Sequence, residues 1–176
     1  MEIFIAPVKF HNTLLLQTLV HELSKRFSSD IEVIDLKLNI DNFFSHERKQ
    51  YFSTQIIAES MKLTDSYDGK VVMLTDVDIF VPALTFIFGE AQLNGKHSIL
   101  SVCRLYEEFY SNASDKNLLL SRTIKEALHE LGHCYGLRHC LDWDCVMHSS
   151  PGIEEVDIKG ISYCRNCVSS IEGYKH

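Results

Sequence analysis

The clearest chemistry in the chain lies at His129-Glu130-Leu131-Gly132-His133-Cys134-Tyr135-Gly136-Leu137-Arg138-His139. His129 and His133 are four apart, so on a helix both imidazoles stand on one face and reach one ion. His139 follows six residues later. On a continued helix it would point about 240° away, at about 100° per residue, so the helix must end in between. Gly136 can end it, because glycine enters the left-handed conformation at little cost and turns the chain back. Three neutral imidazoles leave a fourth tetrahedral position for water, the catalytic rather than the structural arrangement of zinc. Glu130 can reach such a water as general base and then pass the proton to a leaving amine. The competing reading is a solvated helix face with two histidines and a glutamate. His21-Glu22-Leu23-Ser24-Lys25 is such a face, with lysine where the second ligand belongs.

A second cluster follows at once. Cys140 comes directly after the third histidine, Cys145 is five further on, and Cys164 and Cys167 form a C-x-x-C. Two close pairs of this kind have the spacing of a four-thiolate zinc site, which is closed and therefore structural. It would tie the tail to the segment that carries His139. Two disulfides or unconnected thiols are the rival readings. A nucleic-acid-binding zinc ribbon is disfavoured, since residues 140–176 carry Lys159, Arg165 and Lys175 against Asp142, Asp144, Glu154, Glu155, Asp157 and Glu172.

These side chains need a scaffold, and apolar periodicity predicts one. Leu120, Ile124, Leu128, Leu131 and Tyr135 recur at helical spacing, which places an active-site helix over about 115–136. Upstream, strands are expected at 3–8, 31–34 and 70–76, with helices at 12–26 and 46–63. Residues 85–91 are strand-like, and Asn94-Gly95 reads as the turn to a strand over 98–105. The layout is α/β, one mixed twisted sheet with an antiparallel edge strand. After Gly136 periodicity is lost and cysteines accumulate. A single domain over 1–176 is expected, with 137–176 as a loop-rich C-terminal part stapled by the four cysteines.

Composition narrows the setting. The chain has 176 residues, 45% hydrophobic and 23% charged, which suits a folded domain and excludes disorder or a coiled coil as a whole-chain description. Lys and Arg number 17 against 24 Asp and Glu, a formal charge of −7 that repels phosphate backbones. No nucleic-acid partner and no membrane span is expected. The start, Met1-Glu2-Ile3-Phe4-Ile5-Ala6-Pro7-Val8, lacks a basic leader and a cleavage site, so a reducing, cytoplasmic setting without a propeptide is expected.

The extended histidine motif, the Cys140/Cys145 pair, a methionine two residues after Cys145 and the closing C-x-x-C together resemble the archaemetzincins (archaelysins), a branch of the metzincin zinc peptidases. Leu74-Thr-Asp-Val-Asp-Ile-Phe80, Phe88-Gly-Glu90 and Ser101-Val-Cys-Arg-Leu105 also look like that family. The resemblance implies a metzincin-like fold and a peptide or protein substrate. It implies two zinc ions, one catalytic on His129, His133 and His139 with Glu130 as base, one structural on Cys140, Cys145, Cys164 and Cys167. It makes Met147 the Met-turn residue that floors the metal site. It also implies an edge strand that pairs with extended substrate. Thr85–Ala91 fits that place, with Phe86, Phe88, Gly89 and Ala91 as candidate contacts; a buried strand explains the aromatics equally well.

Other residues draw bland readings. Cys134 and Cys103 read as small core residues, Tyr135 as core, His148 as a loop histidine, and Asp76 and Asp78 as turn residues. No second electrophile for an oxyanion stands out. Two further functions use the same residues: a catalytically weak protein that binds peptides through its metal, and a hydrolase of non-peptide amides.

Overall fold

The computed structural model describes residues 2–171 and 173–175; Met1, Glu172 and His176 lie outside the described residues. In chain order the elements are β1 (Glu2–Pro7), α1 (Thr13–Arg26), β2 (Ile31–Val33), β3 (Phe44–Ser45), β4 (Gln50–Phe52), α2 (Ser53–Leu63), β5 (Gly69–Thr75), β6 (Ile79–Phe80), β7 (Gly89–Ala91), β8 (His97–Ser101), α3 (Lys116–Cys134), α4 (Ile153–Ile158) and α5 (Arg165–Val168). Five strands form the main sheet in the order β2-β1-β5-β8-β7, and β3-β4-β6 form a small second one. β2, β1, β5 and β8 run parallel; β7 runs antiparallel to β8 with Gly89 opposite Leu100 and Ala91 opposite Ser98. The mixed sheet with an antiparallel edge is the predicted architecture.

Alternation along the strands divides the interior into two layers. Ile3, Ile5, Val72, Leu74 and Leu100 face α1 and α3, meeting Leu15, Leu19 and Leu23 of one helix and Ile124, Leu128 and Leu131 of the other. Phe4, Ala6, Val71, Met73 and Ile99 face the opposite way, toward Ile56 and Ile57 of α2. α3 therefore lies against the sheet along its length, and its last turns come under β7.

The sequence reading needs four corrections. The helix expected from residue 46 begins at Ser53. Lys49 takes a positive φ of 55°, which breaks a helix, and Gln50–Phe52 pairs with Ile79–Phe80 instead. Of the strand expected over 85–91 only Gly89–Ala91 joins β8. Thr85 spends its carbonyl on the Gln50 side chain at 3.0 Å, and Ile87 bridges to Ile79. The last strand ends at Ser101, leaving Cys103 half-buried beyond it. The C-terminal part also holds two short helices, α4 and α5, that periodicity did not reveal. Among the described residues no helix is long and apolar enough to cross a membrane.

Candidate active site

α3 starts where Asp115 accepts hydrogen bonds from the backbone N–H groups of Asn117 and Leu118, an N-cap that satisfies two of the helix's orphan donors. It stops at Gly136, whose φ is +91°. There Leu137 N–H bonds to the Gly132 carbonyl and Gly136 N–H to the His133 carbonyl, both at 2.9 Å, the pair of bonds that closes a helix around a left-handed glycine. The chain reverses, and His139 comes back to His129 and His133. Ring centroids in the trio lie 4.7–5.3 Å apart, and one ring nitrogen from each lies within 4.8 Å of the others.

The hydrogen bonds orient the rings. His129 Nδ1 donates to the Val146 carbonyl at 2.9 Å and His133 Nδ1 to the Leu137 carbonyl at 2.8 Å. Both Nε2 lone pairs then face each other at 3.1 Å. Two acceptors do not bond to one another, so this approach calls for a cation between them. Two nitrogens on one tetrahedral zinc would stand about 3.3 Å apart. Burial, then the Lys159 charge and His133, holds the His129 imidazole well below its ordinary pKa. Burial also lowers His133 and His139. Burial thus favours the neutral imidazole in all three, the form that ligates metal. The donor set fits zinc.

Glu130 is 4% exposed. Burial raises its carboxyl pKa well above the ordinary carboxylate range, Glu126 and Glu90 add to the rise, and Lys159 opposes it. The carboxylate lies against Gly89 of β7. A Cβ on that glycine would stand 2.5 Å from Glu130 Oε1 and 2.7 Å from Cδ, so any larger residue there would push the carboxylate aside. Beneath α3, Met147 is fully buried against Gly132, where an added Cβ would lie 2.3 Å from its Sδ. The predicted floor residue is therefore packed directly under the helix turn that joins the two histidines.

β7 is the sheet's edge. Phe88 gives its carbonyl to Ser101 N–H, and Gln92 N–H donates to the His97 carbonyl. The alternation of an antiparallel ladder then turns the backbone groups of Gly89 and Ala91 outward. A cleft of about 770 Å³ lies between this strand and the histidines, reached by Leu84, Phe86, Gly89, Glu130 and Pro151. The two aromatics differ: Phe88 is buried in the core, whereas Phe86 is half-buried with the Arg104 guanidinium 4.2 Å above its ring. Asp78 is more than a turn residue, since its two oxygens hold Arg104 at 2.8 and 2.7 Å.

The Sγ atoms of Cys140, Cys145, Cys164 and Cys167 all lie within 4.8 Å of one another, and the Cys140–Cys164 separation is 3.9 Å. A disulfide would need about 2.05 Å, whereas two thiolates on one zinc stand about 3.8 Å apart. All six cysteines are free. His148 stays outside the histidine trio and stacks on Trp143 with ring centroids 3.8 Å apart. Cys134 is buried.

The sequence reading missed the polar support behind the trio. Arg122, Lys125, Glu126 and His129 are all buried and recur at i, i+3, i+4 and i+7 on α3. That spacing usually marks an apolar stripe, and its charges were the available signal. Arg122 binds Asp157 at 2.7 Å, Lys125 donates to the carbonyls of Val156 and Asp157 at 2.8 Å, and Glu126 meets Lys159 at 2.7 Å. These bonds dock α4 onto α3.

A sequence model of Peptidase family M54 matches residues 33–173. The archaemetzincin of Methanocaldococcus jannaschii is 37% identical over 174 residues, covering 98% of this chain and 93% of the relative. That of Pyrococcus furiosus is 41% identical over 134 residues, 73% of this chain and 70% of the relative. Among solved structures, the archaemetzincin of Archaeoglobus fulgidus complexed with malonate superposes with a TM-score of 0.82 at 33% identity, covering 97% of this chain and all of that one. A zinc-dependent peptidase of Methanocorpusculum labreanum gives 0.84 at 25% identity, covering 96% and 98%.

Proposed function

This chain belongs to peptidase family M54, the archaemetzincins, and from that premise we propose that it cleaves peptide bonds at the His129/His133/His139 cluster with Glu130 as general base. It is a zinc metallopeptidase by family. The observation that carries the finer reading is the convergence of three neutral imidazoles with a buried carboxylate one residue after the first. Zinc held by His129, His133 and His139 would supply a Lewis acid that lowers the pKa of water and polarises a carbonyl.

The chain's own residues do the rest. Val146 and Leu137 fix the His129 and His133 rings through Nδ1, leaving each Nε2 to bind. Glu130 takes a proton from the attacking water and gives it to the departing amine. Burial raises its carboxyl pKa above the ordinary carboxylate range, the direction that strengthens it as a base toward that proton. Met147 supports the floor under Gly132. The outward backbone groups of Gly89 and Ala91 pair with an extended peptide by strand addition, beside the half-buried Phe86, while Phe88 packs the strand's inner side. Cys140, Cys145, Cys164 and Cys167 hold a second, structural zinc that ties residues 137–176 together. A four-thiolate zinc site suits a reducing, cytoplasmic setting.

The test is digestion of a diverse peptide library in ¹⁸O-labelled water by protein carrying two zinc ions, read by mass spectrometry. Peptides with one ¹⁸O in a newly formed carboxyl group are expected, and a Glu130→Ala variant yields none. No products from fully metallated protein would overturn the proposal in favour of a binding role or a narrower amide substrate.

A further inference from the structure

The Lys159 side chain is wholly buried at the histidine cluster, at 0% exposure. It immediately follows α4, and its backbone N–H caps that helix on the Glu155 carbonyl at 3.0 Å. Its Nζ lies 2.7 Å from Glu126 Oε1 and 3.5 Å from His129 Nδ1. Nδ1 already donates to Val146, so it has no lone pair to offer the ammonium. The contact is an electrostatic one, a positive charge set behind a ring whose far nitrogen faces the metal position.

That arrangement is the reverse of the usual one. Histidines that bind metal generally give their second N–H to a carboxylate or carbonyl, which makes the imidazole a better donor. Here the carbonyl of Val146 does so, while Lys159 pulls electron density the other way. Glu126, at 3% exposure and one turn before His129, is the compensating charge.

We propose that Lys159 and Glu126 are positioning residues that set how tightly the histidine cluster holds zinc, Lys159 weakening the hold and Glu126 restoring it. The inference rests on His129 being a zinc ligand. It predicts opposite signs for two neighbouring substitutions, which a purely structural tie between α3 and α4 does not. Outer partners of zinc ligands shift affinity by about 10–100-fold. Removing the Glu126 carboxylate alone takes away the ammonium's ion-pair partner behind the ring, so Glu126→Gln weakens zinc binding about tenfold. Removing both charges in Glu126→Gln/Lys159→Met brings affinity back to the wild-type level or tighter.

The measurement is zinc affinity of the full-length protein by chelator competition, with melting temperature recorded for each variant. His133→Ala serves as the reference that reports the cysteine site alone. A double variant at least tenfold tighter than Glu126→Gln supports the proposal. A double variant as weak as Glu126→Gln makes the pair a structural tie and overturns it. So does a Glu126→Gln affinity within twofold of wild type. Wild-type protein that binds no more zinc than His133→Ala removes the ligand assignment itself, and the inference with it. Lys159→Met alone, if it folds, binds zinc more tightly than wild type; weaker binding at an unchanged melting temperature contradicts the proposal.

Discussion

Gly89 of the edge strand touches Glu130 of the central helix so closely that a Cβ would fall 2.5 Å from the carboxylate oxygen. One contact thus links the strand that offers its backbone to the cleft with the acid beside the first histidine. Gly89 has no positive φ, so alanine there meets crowding rather than backbone strain. Gly89→Ala should displace the Glu130 carboxylate by a fraction of an ångström to an ångström. A misplacement of that size costs about 10² in rate. kcat falls by about that factor while zinc content stays at the wild-type level. Unchanged kcat would show that Glu130 tolerates the shift and is not held in a catalytic position.

The four-cysteine cluster makes a separate prediction. Cys164→Ser opens the site and lowers bound zinc from two ions per chain to one, measured by elemental analysis. Metal binding is part of the folding free energy of such sites, so several kcal/mol are lost. For a chain of this length that lowers the melting temperature by roughly 10 °C. Retention of two ions in this variant would refute the assignment of Cys164 as a ligand.

Gly132 and Met147 are coupled by space. Gly132→Ala drives a Cβ to 2.3 Å from Met147 Sδ and 3.1 Å from Tyr163 Cε1 in a fully buried region. Overpacking of this kind costs about 1–3 kcal/mol. Combining it with Met147→Ala removes the collision. Denaturant unfolding should therefore find the double variant more stable than the sum of the two single losses allows, with a coupling of at least about 0.5 kcal/mol. Strict additivity would mean that the floor relaxes without cost.

His97 gives a pH dependence. It is 4% exposed, with Nδ1 3.0 Å from Gln92 Oε1 and Nε2 2.6 Å from Thr64 Oγ1. Burial, with a smaller contribution from Lys96, lowers its pKa from 6.5 to about 4. Between those values the unfolded chain binds a proton that the folded chain refuses. Stability from His97 is fully present above pH 6.5 and is lost as pH falls toward 4, by at most about 3 kcal/mol. Urea midpoints followed from pH 7 to 4 should fall less steeply in His97→Gln than in wild type. Parallel slopes would contradict a neutral, buried His97.

Local spacing and distant pairing explain what could be read from the residues. The turn at Gly136 and the return of His139 follow from a few consecutive residues, so they are legible in the sequence, whereas the cap at Asp115 is seen only in the structure. The strand over 3–8 is legible from its apolar run, but Ile3, Phe4, Ile5 and Ala6 are all apolar, so their division between two layers is not. Residues 46–52 were misread because their partners are remote: Gln50 bonds to Asp78 and Thr85, 28 and 35 positions on. Thr85–Phe88 has strand-forming residues, yet only the edge beyond it finds an open neighbour in β8. In the sequence Lys159 stands out only as one of three basic residues in 140–176. Only the docking of α4 on the polar stripe of α3 puts it behind His129.

The central claim is that Glu130 carries the proton in peptide hydrolysis. It is tested by comparing wild type and Glu130→Gln on one peptide that the wild type cleaves, with zinc content matched in both. Glutamine keeps the size of the side chain beside Gly89 and removes its basicity. Loss of a general base costs about 10²–10⁴ in rate, so kcat/KM should fall by at least about 10² at unchanged zinc occupancy. A variant that cleaves within threefold of the wild-type rate would contradict the account.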